Sequence, residues 1–328
     1  MRTVSKKVSR FLDERIESKT KCTFLVLFVV AALAALGCPP LASAAPILGS
    51  DLASFTVLGA STVTNVPTST IVGNVGVWPG SSITGFNSSP GNAVSDPQVT
   101  GGNVHATTAV AQSAQGQLVT AINNLASLGA GTTLSLADLA GLTLVPGVYT
   151  VPAGVTNLSG ALTLDGLGNA NAAWVFQMPS TLITSPNSSV NVINTGDGAG
   201  LYWNVGSSAT IDVNTSFLGN ILAVSSITMN TTATDLCGRA LADTGAVTLD
   251  QNSLSGSCIE FLAGSNGLSG GFDVITTPEG GTEVVPLPYT PVDENAPIPE
   301  PSTVFLLGSG LIGFVAFRKK LHKIFNRA

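Results

Sequence analysis

Basic residues are almost missing from the body of this chain. Between Ala45 and Phe317 the only Lys or Arg is Arg239, set against sixteen Asp and Glu, so that span carries a net charge near −15 (1 − 16). Nucleic-acid binding needs a basic patch, and none can be assembled from one arginine. Attraction to anionic membrane surfaces is excluded for the body on the same ground. Histidine is scarcer still: His105 and His322 are the only two, and they do not make a metal site. No phosphate loop and no nucleophile elbow occurs, so no catalytic constellation, cofactor or metal is expected. Charged residues make up 10% and aromatics 6%, while apolar residues reach 44% and glycines number 36. Recurring apolar residues exclude disorder, and few charges with many Gly, Ser, Thr and Asn suit an all-β repeat protein.

The remaining cations mark the two ends. Lys6, Lys7, Arg10, Arg15, Lys19 and Lys21 precede an apolar run from Phe24 to Leu36, and Ala42-Ser43-Ala44 offers a cleavage site. Residues 1–44 therefore read as a signal peptide. Ala35-Leu36-Gly37-Cys38 is a poor lipobox, which leaves lipidation of Cys38 as a lesser alternative. Export leaves Cys237 and Cys258, 21 positions apart, as a candidate disulfide; two buried thiols are the other reading.

Five segments share one shape, small residues followed by an apolar residue and then Thr or Asn. They are Ser159–Thr163, Asn187–Asn191, Gly206–Thr210, Val224–Thr228 and Thr244–Thr248. Their last positions, Thr163, Asn191, Thr210, Thr228 and Thr248, are spaced by 28, 19, 18 and 20. Self-similarity at such a period marks a solenoid, and 18 to 20 residues allow three short strands and three corners. Gly59–Thr64 resembles a further segment. The expected fold is mainly β: a β-helix of roughly triangular section.

Other stretches break this period. Residues 78–102, with Pro79, Pro90 and Pro97, read as a loop-rich cap. Residues 103–128 place Val110, Ala111, Ala114, Leu118, Ala121, Ile122 and Leu125 at three- and four-residue steps, which predicts one long helix lying along the solenoid. The domain is expected over 45–275. Residues 276–298 follow as an acidic, proline-rich linker. An apolar run from Val304 to Phe317 ends in Arg318-Lys319-Lys320 and is short for a spanning transmembrane helix. Asp165, Asp197, Asp212, Asp235, Asp243 and Asp250 are dispersed and read as corner residues. Their rival reading is the carboxylate set of a polysaccharide-cleaving β-helix enzyme.

With ladder, cap and helix placed, the chain resembles the secreted microbial ice-binding proteins. The resemblance rests on Leu52–Leu58, Pro67–Val77, Ile83–Phe86, Gly141–Tyr149, Trp174–Gln177 and Cys237–Ala242. It implies a right-handed, discontinuous β-helix with a parallel α-helix and a non-enzymatic, ice-adsorbing function. Family members bind ice through a flat face with a Thr-(Ala/Gly)-x-(Thr/Asn) pattern. Carried over, that places the ice site at Thr163, Ser188, Ser189, Asn191, Ser207, Ser208, Thr210, Ser225, Ser226, Thr228 and Thr248. Ser188, Ser207 and Ser225 replace the first Thr of the pattern, and Gly245 does so in the last segment. Pro299-Glu300-Pro301 with the run behind it resembles a PEP-CTERM sorting signal over 299–328. It implies processing by an exosortase-type enzyme, surface or extracellular location, and a transient C-terminal membrane anchor. The expected partners are ice and that enzyme. An extracellular polysaccharide is a further possible partner, and a surface adhesin of the same fold is the alternative function.

Overall fold

The computed structural model describes residues 44–258 and 262–292. The chain is mainly β, with a four-residue helix α1 (Ser50–Ala53) and one long helix α2 (Ala109–Ser127). Nearly all strands pair in parallel with a strand one rung further along, and each rung crosses three ladders in turn.

The first ladder runs Thr132–Thr133, Gly147–Thr150, Ala173–Met178, Gly200–Val205, Ser216–Ala223, Thr234–Ala242, Phe55–Gly59, Asn74–Val77 and Val104–Ala106. The second runs Leu182–Ile183, Ala209–Ile211, Ile227–Met229, Val247–Asp250, Thr62–Val66 and Ser82–Thr84. The third runs Thr143–Leu144, Ala161–Asn169 and Ser189–Thr195. It continues through Ser216 and Thr234 to Ser253–Ser255, Thr70–Val72 and Val99–Thr100.

Sequence order and spatial order therefore differ. The first-formed segments, Phe55–Gly59 and Thr62–Val66, stack on the last rung, pairing with Thr234–Ala242 and Val247–Asp250. Helix α2 makes this possible by carrying the chain back past the stack. At 1.5 Å per residue its 19 residues span roughly 28 Å, the height of about six rungs at 4.8 Å each. Ala111, Ala114, Leu118, Ala121 and Leu125 face the first ladder and pack with Leu58, Val175, Tyr202, Leu222 and Leu241. The alanines let helix and sheet approach closely. Thr108 caps the N-terminus by accepting from the Ala111 amide at 3.2 Å, and Gly129 at φ 76° stops the other end.

Two sequence-based boundaries shift. The helix begins at Ala109 rather than 103, because Val104–Ala106 pairs in parallel with Val75–Val77. Sheet pairing overrides helical periodicity there. Within the expected cap 78–102, Ser82–Thr84 and Val99–Thr100 extend the second and third ladders, so the cap contains part of a further rung.

Rungs come in two sizes. In the second ladder Ile183, Thr210, Thr228 and Thr248 pair in succession, giving rungs of 27 (183 to 210), 18 (210 to 228) and 20 residues (228 to 248). The surplus of the long rung lies in Ser189–Thr195, which pairs with Ala161–Asn169 along its length but with the next rung only at Ser189. The corner between second and third ladders is made the same way in four successive rungs. Asn187, Asn214, Thr232 and Gln251 each adopt a left-handed backbone, at φ 62°, 56°, 62° and 54°. Asn tolerates this conformation better than other non-glycine residues, which accounts for two of the four.

Inside the rungs, the scarce aromatics stack upon one another. Phe176 and Trp203 lie 4.2 Å apart at 12°, and Tyr149 and Phe217 extend the column on either side. Each such pair adds ~0.5–1.5 kcal/mol beyond area burial. Trp203 Nε1 donates to the Leu218 carbonyl at 3.0 Å, so its polar atom is satisfied. Cys237 and Cys258 form a disulfide, with Cα atoms 4.4 Å apart, between adjacent rungs. It fastens the segment after Ser253–Ser255 to the stack.

Arg239 is fully buried where the first and last segments of the domain meet. Its guanidinium donates to the carbonyls of Ala53 (2.9 Å), Gly256 (2.8 Å) and Asn266 (3.2 Å), and to the side chains of Asn220 and Asn266 (2.8 Å each). Desolvation pulls its pKa down to about 10, opposed by Tyr202 and Asp235. Asp235, also fully buried, is pushed well above the usual carboxylate range by desolvation.

Candidate functional site

Helix α2 packs on the first ladder, and the second ladder, which it does not cover, carries a regular outward row of threonines. Alternation along each strand sends Ala209, Ile211, Ile227, Met229, Val247, Leu249 and Val63 into the core. It sends Thr210, Thr228, Thr248, Thr64 and Thr84 outward, and these are direct partners in consecutive rungs. Five threonines thus stand in one column about 4.8 Å apart. Two positions earlier stand the small residues Ser208, Ser226, Ala246, Thr62 and Ser82, a second column in which Thr62 and Ser82 are direct partners and the other three precede their strands by one residue. Neither column contains a charge. Ser208 and Ser226 also tie rungs together, since the amides of Ser226 and Ala246 donate to their hydroxyls at 3.3 and 3.1 Å.

Acidic groups appear only where the face ends. Asp212 accepts from the Val213 amide at 2.8 Å and the Asn230 side chain at 2.9 Å, and Asp250 accepts from the Thr231 hydroxyl. Asp212 sits at the corner, as the sequence reading has it, whereas Asp250 is the last residue of the strand Val247–Asp250, paired with Val66. Asp165 departs from that reading: it lies inside the strand Ala161–Asn169, paired with Ile193 just before a register shift, and accepts from the Leu167 amide at 3.0 Å. Asp235 departs from that reading, being buried beside Arg239 rather than exposed at a corner.

The expected column of Thr163, Asn191, Thr210, Thr228 and Thr248 is divided. Thr163 pairs with Asn191 in the third ladder, whereas Thr210, Thr228 and Thr248 belong to the second. Both ladders carry the same local pattern, and the step of 19 from Asn191 to Thr210 passes two corners and the first-ladder strand Gly200–Val205 instead of climbing one rung. The second-ladder position of the rung below Thr210 is held by Ile183. Ser189 lies with Asn191 on the third ladder, where it pairs with Ala161 and Ser216. Ser188 is buried, donating to the Ser185 carbonyl at 2.8 Å and lying 3.2 Å from the Thr215 hydroxyl. It is not on any surface. Ser207 and Ser225 stand at the corner entering the second ladder, joined by the Ser225 amide to Ser207 carbonyl bond at 2.9 Å.

Thr64 and Thr84 complete the column and were not among the expected site residues. The signal was present: Gly59–Thr64 has the ladder shape, and Ser82-Ile83-Thr84 repeats Ser226-Ile227-Thr228. No group of three or more His, Cys, Asp or Glu able to hold a metal occurs among the described residues. Among those residues, too, no helix is long and apolar enough to cross a membrane. The apolar run 304–317 and Pro299-Glu300-Pro301 lie outside them.

This chain resembles solved and curated proteins over most of its length. It is 39% identical over 302 residues to an ice-binding protein of Nostoc sp. (strain HG1), covering 92% of this chain and 97% of that one. Two crystal structures align with it at TM-score 0.57. One is an ice-binding protein from an Antarctic biological consortium, 36% identical, spanning 64% of this chain and 91% of the other. The second is an ice-binding protein from Antarctomyces psychrotrophicus, 34% identical, spanning 65% and 98%. The PEP-CTERM protein-sorting motif matches residues 297–320. The alternative of a polysaccharide-binding adhesin finds no support in these relatives. Residues 57–255 match the Ice-binding-like family, and the chain belongs to that family.

Proposed function

We propose that this protein adsorbs to ice through the second ladder. The observation that carries the reading is the uncharged column Thr210, Thr228, Thr248, Thr64 and Thr84, flanked by the small residues Ser208, Ser226, Ala246, Thr62 and Ser82. Ice presents a periodic array of oxygens. A binder gains from periodic groups on a rigid surface, because many weak contacts act together only when they are in register. The rung spacing fixed by backbone hydrogen bonds, close to a repeat of ice, supplies that register. Charges would hold hydration water in a competing order, and the columns contain none. Small Ser and Ala residues keep the surface level.

The coiling of three ladders is best read as a right-handed β-helix, in keeping with the chain's family. The mode of action is adsorption, with no substrate turned over and no cofactor. The matched sorting motif supports export and processing by an exosortase-type enzyme, with the apolar run 304–317 as a transient membrane anchor. Purified exported protein should inhibit ice recrystallisation at low concentration and shape growing crystals. Normal recrystallisation at high protein concentration would refute adsorption.

A further inference from the structure

The chain leaves the domain at the vertex facing away from the threonine columns. Each rung has three sides and three corners. One corner, between the third and first ladders, lies opposite the second ladder. Ala170 to Ala172 turn that corner, between the strand end at Gly168-Asn169 and Ala173–Met178. The last residues of the domain are fixed there. The Leu287 amide donates to the Gly271 carbonyl at 2.9 Å, the Asn171 side chain to the Pro288 carbonyl at 2.9 Å, and the Tyr289 hydroxyl to the Gly168 carbonyl at 3.4 Å. A hairpin of Phe272–Thr276 and Thr282–Pro286 leads into this exit, and Ala45–Pro46 pairs on its outer edge. Both ends of the domain therefore belong to one small sheet. The first compact unit of the chain ends with Tyr289.

We infer that the domain is built for anchored display: attached through its C-terminal segment, it presents its second ladder outward and can hold the attached surface to ice. This rests on the ice-adsorption reading. Only nine residues, 290–298, separate Tyr289 from Pro299. A chain of that length reaches at most about 35 Å. A short tether makes the exit direction matter. An exit beside the columns would press them against the support, whereas an exit at the far vertex leaves every rung of the face free. The acidic residues Glu279 and Glu283 lie on the hairpin side, away from the columns.

The test immobilises the exported protein on streptavidin beads in two ways. One uses a biotin acceptor peptide in place of residues 299–328, so that only residues 290–298 join it to the domain. The other uses maleimide-biotin on Ser61→Cys or, as a second variant, Asn87→Cys. Both positions are exposed corners bordering the second ladder, and Cys237 and Cys258 are occupied in the buried disulfide. Each protein is first assayed free for recrystallisation inhibition and melting temperature. Beads are then exposed to a growing ice surface and the retained fraction is counted. C-terminally held beads should be retained at roughly ten times the level of corner-held beads, because multivalent contact is lost where geometry forbids engagement. Equal retention, or better retention through the corners, by chains active when free would overturn the inference. Inactivity of the free wild-type chain would instead remove the ice reading beneath it.

Discussion

Thr248 and Thr64 are direct partners on adjacent rungs, although nearly the whole domain separates them in sequence. Thr248 ends a rung built by the C-terminal half of the domain, and Thr64 begins one built by its first strands. The middle of the proposed ice face is therefore a junction between the two ends of the chain.

That junction gives the first test. Thr248→Tyr with Thr64→Tyr places two bulky groups at the centre of the column. Thermal hysteresis and recrystallisation inhibition should fall to a small fraction of wild type. Stability should change by no more than about 0.5 kcal/mol, as for ordinary surface substitutions. Thr163→Tyr with Asn191→Tyr makes the matching change on the third ladder and should leave ice activity intact. If the third-ladder pair abolished activity and the second-ladder pair did not, the face would be misassigned.

Arg239 should matter for stability and not for ice. Arg239→Ala would leave the carbonyls of Ala53, Gly256 and Asn266 and the side-chain oxygens of Asn220 and Asn266 without their donor. Removing one member of such a buried set costs about 3–5 kcal/mol. For a domain of this size that lowers the melting temperature by roughly 10 °C. Arg239→Lys should recover only part of the loss, because an ammonium cannot reproduce the planar fork of donors. A melting temperature unchanged in both variants would contradict the clamp.

The disulfide separates fold from function similarly. Replacing Cys237 and Cys258 by Ser opens a loop of 21 residues and should cost about 3 kcal/mol on the chain-entropy account. Near the freezing point most molecules would still be folded, so recrystallisation inhibition should persist while thermal unfolding moves lower. Loss of activity at 0 °C with the fold retained would show that the bridge shapes the face itself.

His105 predicts a pH dependence. It is buried against Phe55, with ring centroids 5.4 Å apart, and its Nδ1 lies 3.2 Å from the Thr108 hydroxyl. Desolvation lowers its pKa below 6.5 in the folded state. The unfolded chain then binds the proton more readily, so stability is complete above about pH 6.5 and falls as the pH drops toward the folded value. Asp235 and Asp243, whose pKa values desolvation raises, act oppositely, gaining stability as they protonate at lower pH. Melting followed between pH 7.5 and 5.5 should show a decline that His105→Gln abolishes. An identical slope in the variant would rule out His105 as its source.

Much of this was legible in the sequence, and the failures share one cause. The apolar–polar alternation, the period near 19 and the single helical stretch are local patterns, and they identified strands, rungs and helix. What a local pattern lacks is the label of the face it lies on. Ser159–Thr163 and Gly206–Thr210 look alike, yet they occupy different ladders. The irregular step of 28 was the visible trace of the longer rungs at Ala161–Asn169 and Ser189–Thr195. Ser188 illustrates a second limit, because a small polar residue gives no sign whether its hydroxyl faces water or a neighbouring carbonyl. Thr64 and Thr84 could have been included, since their segments matched, but their place beside Thr248 depends on the return path of helix α2.

That return path also sets the order in which the molecule can be made. Phe55–Gly59 and Thr62–Val66 leave the export machinery first, but their partners in Thr234–Ala242 and Val247–Asp250 come almost 200 residues later. Until then those early strands keep one edge unpaired. Closing so long a loop is slow, because the chain entropy is lost before the contacts form. The seam between Thr248 and Thr64 is accordingly the last part of the face to assemble. A ribosome or translocon that stalls before Asp250 releases a chain with many of its rungs and no continuous threonine row.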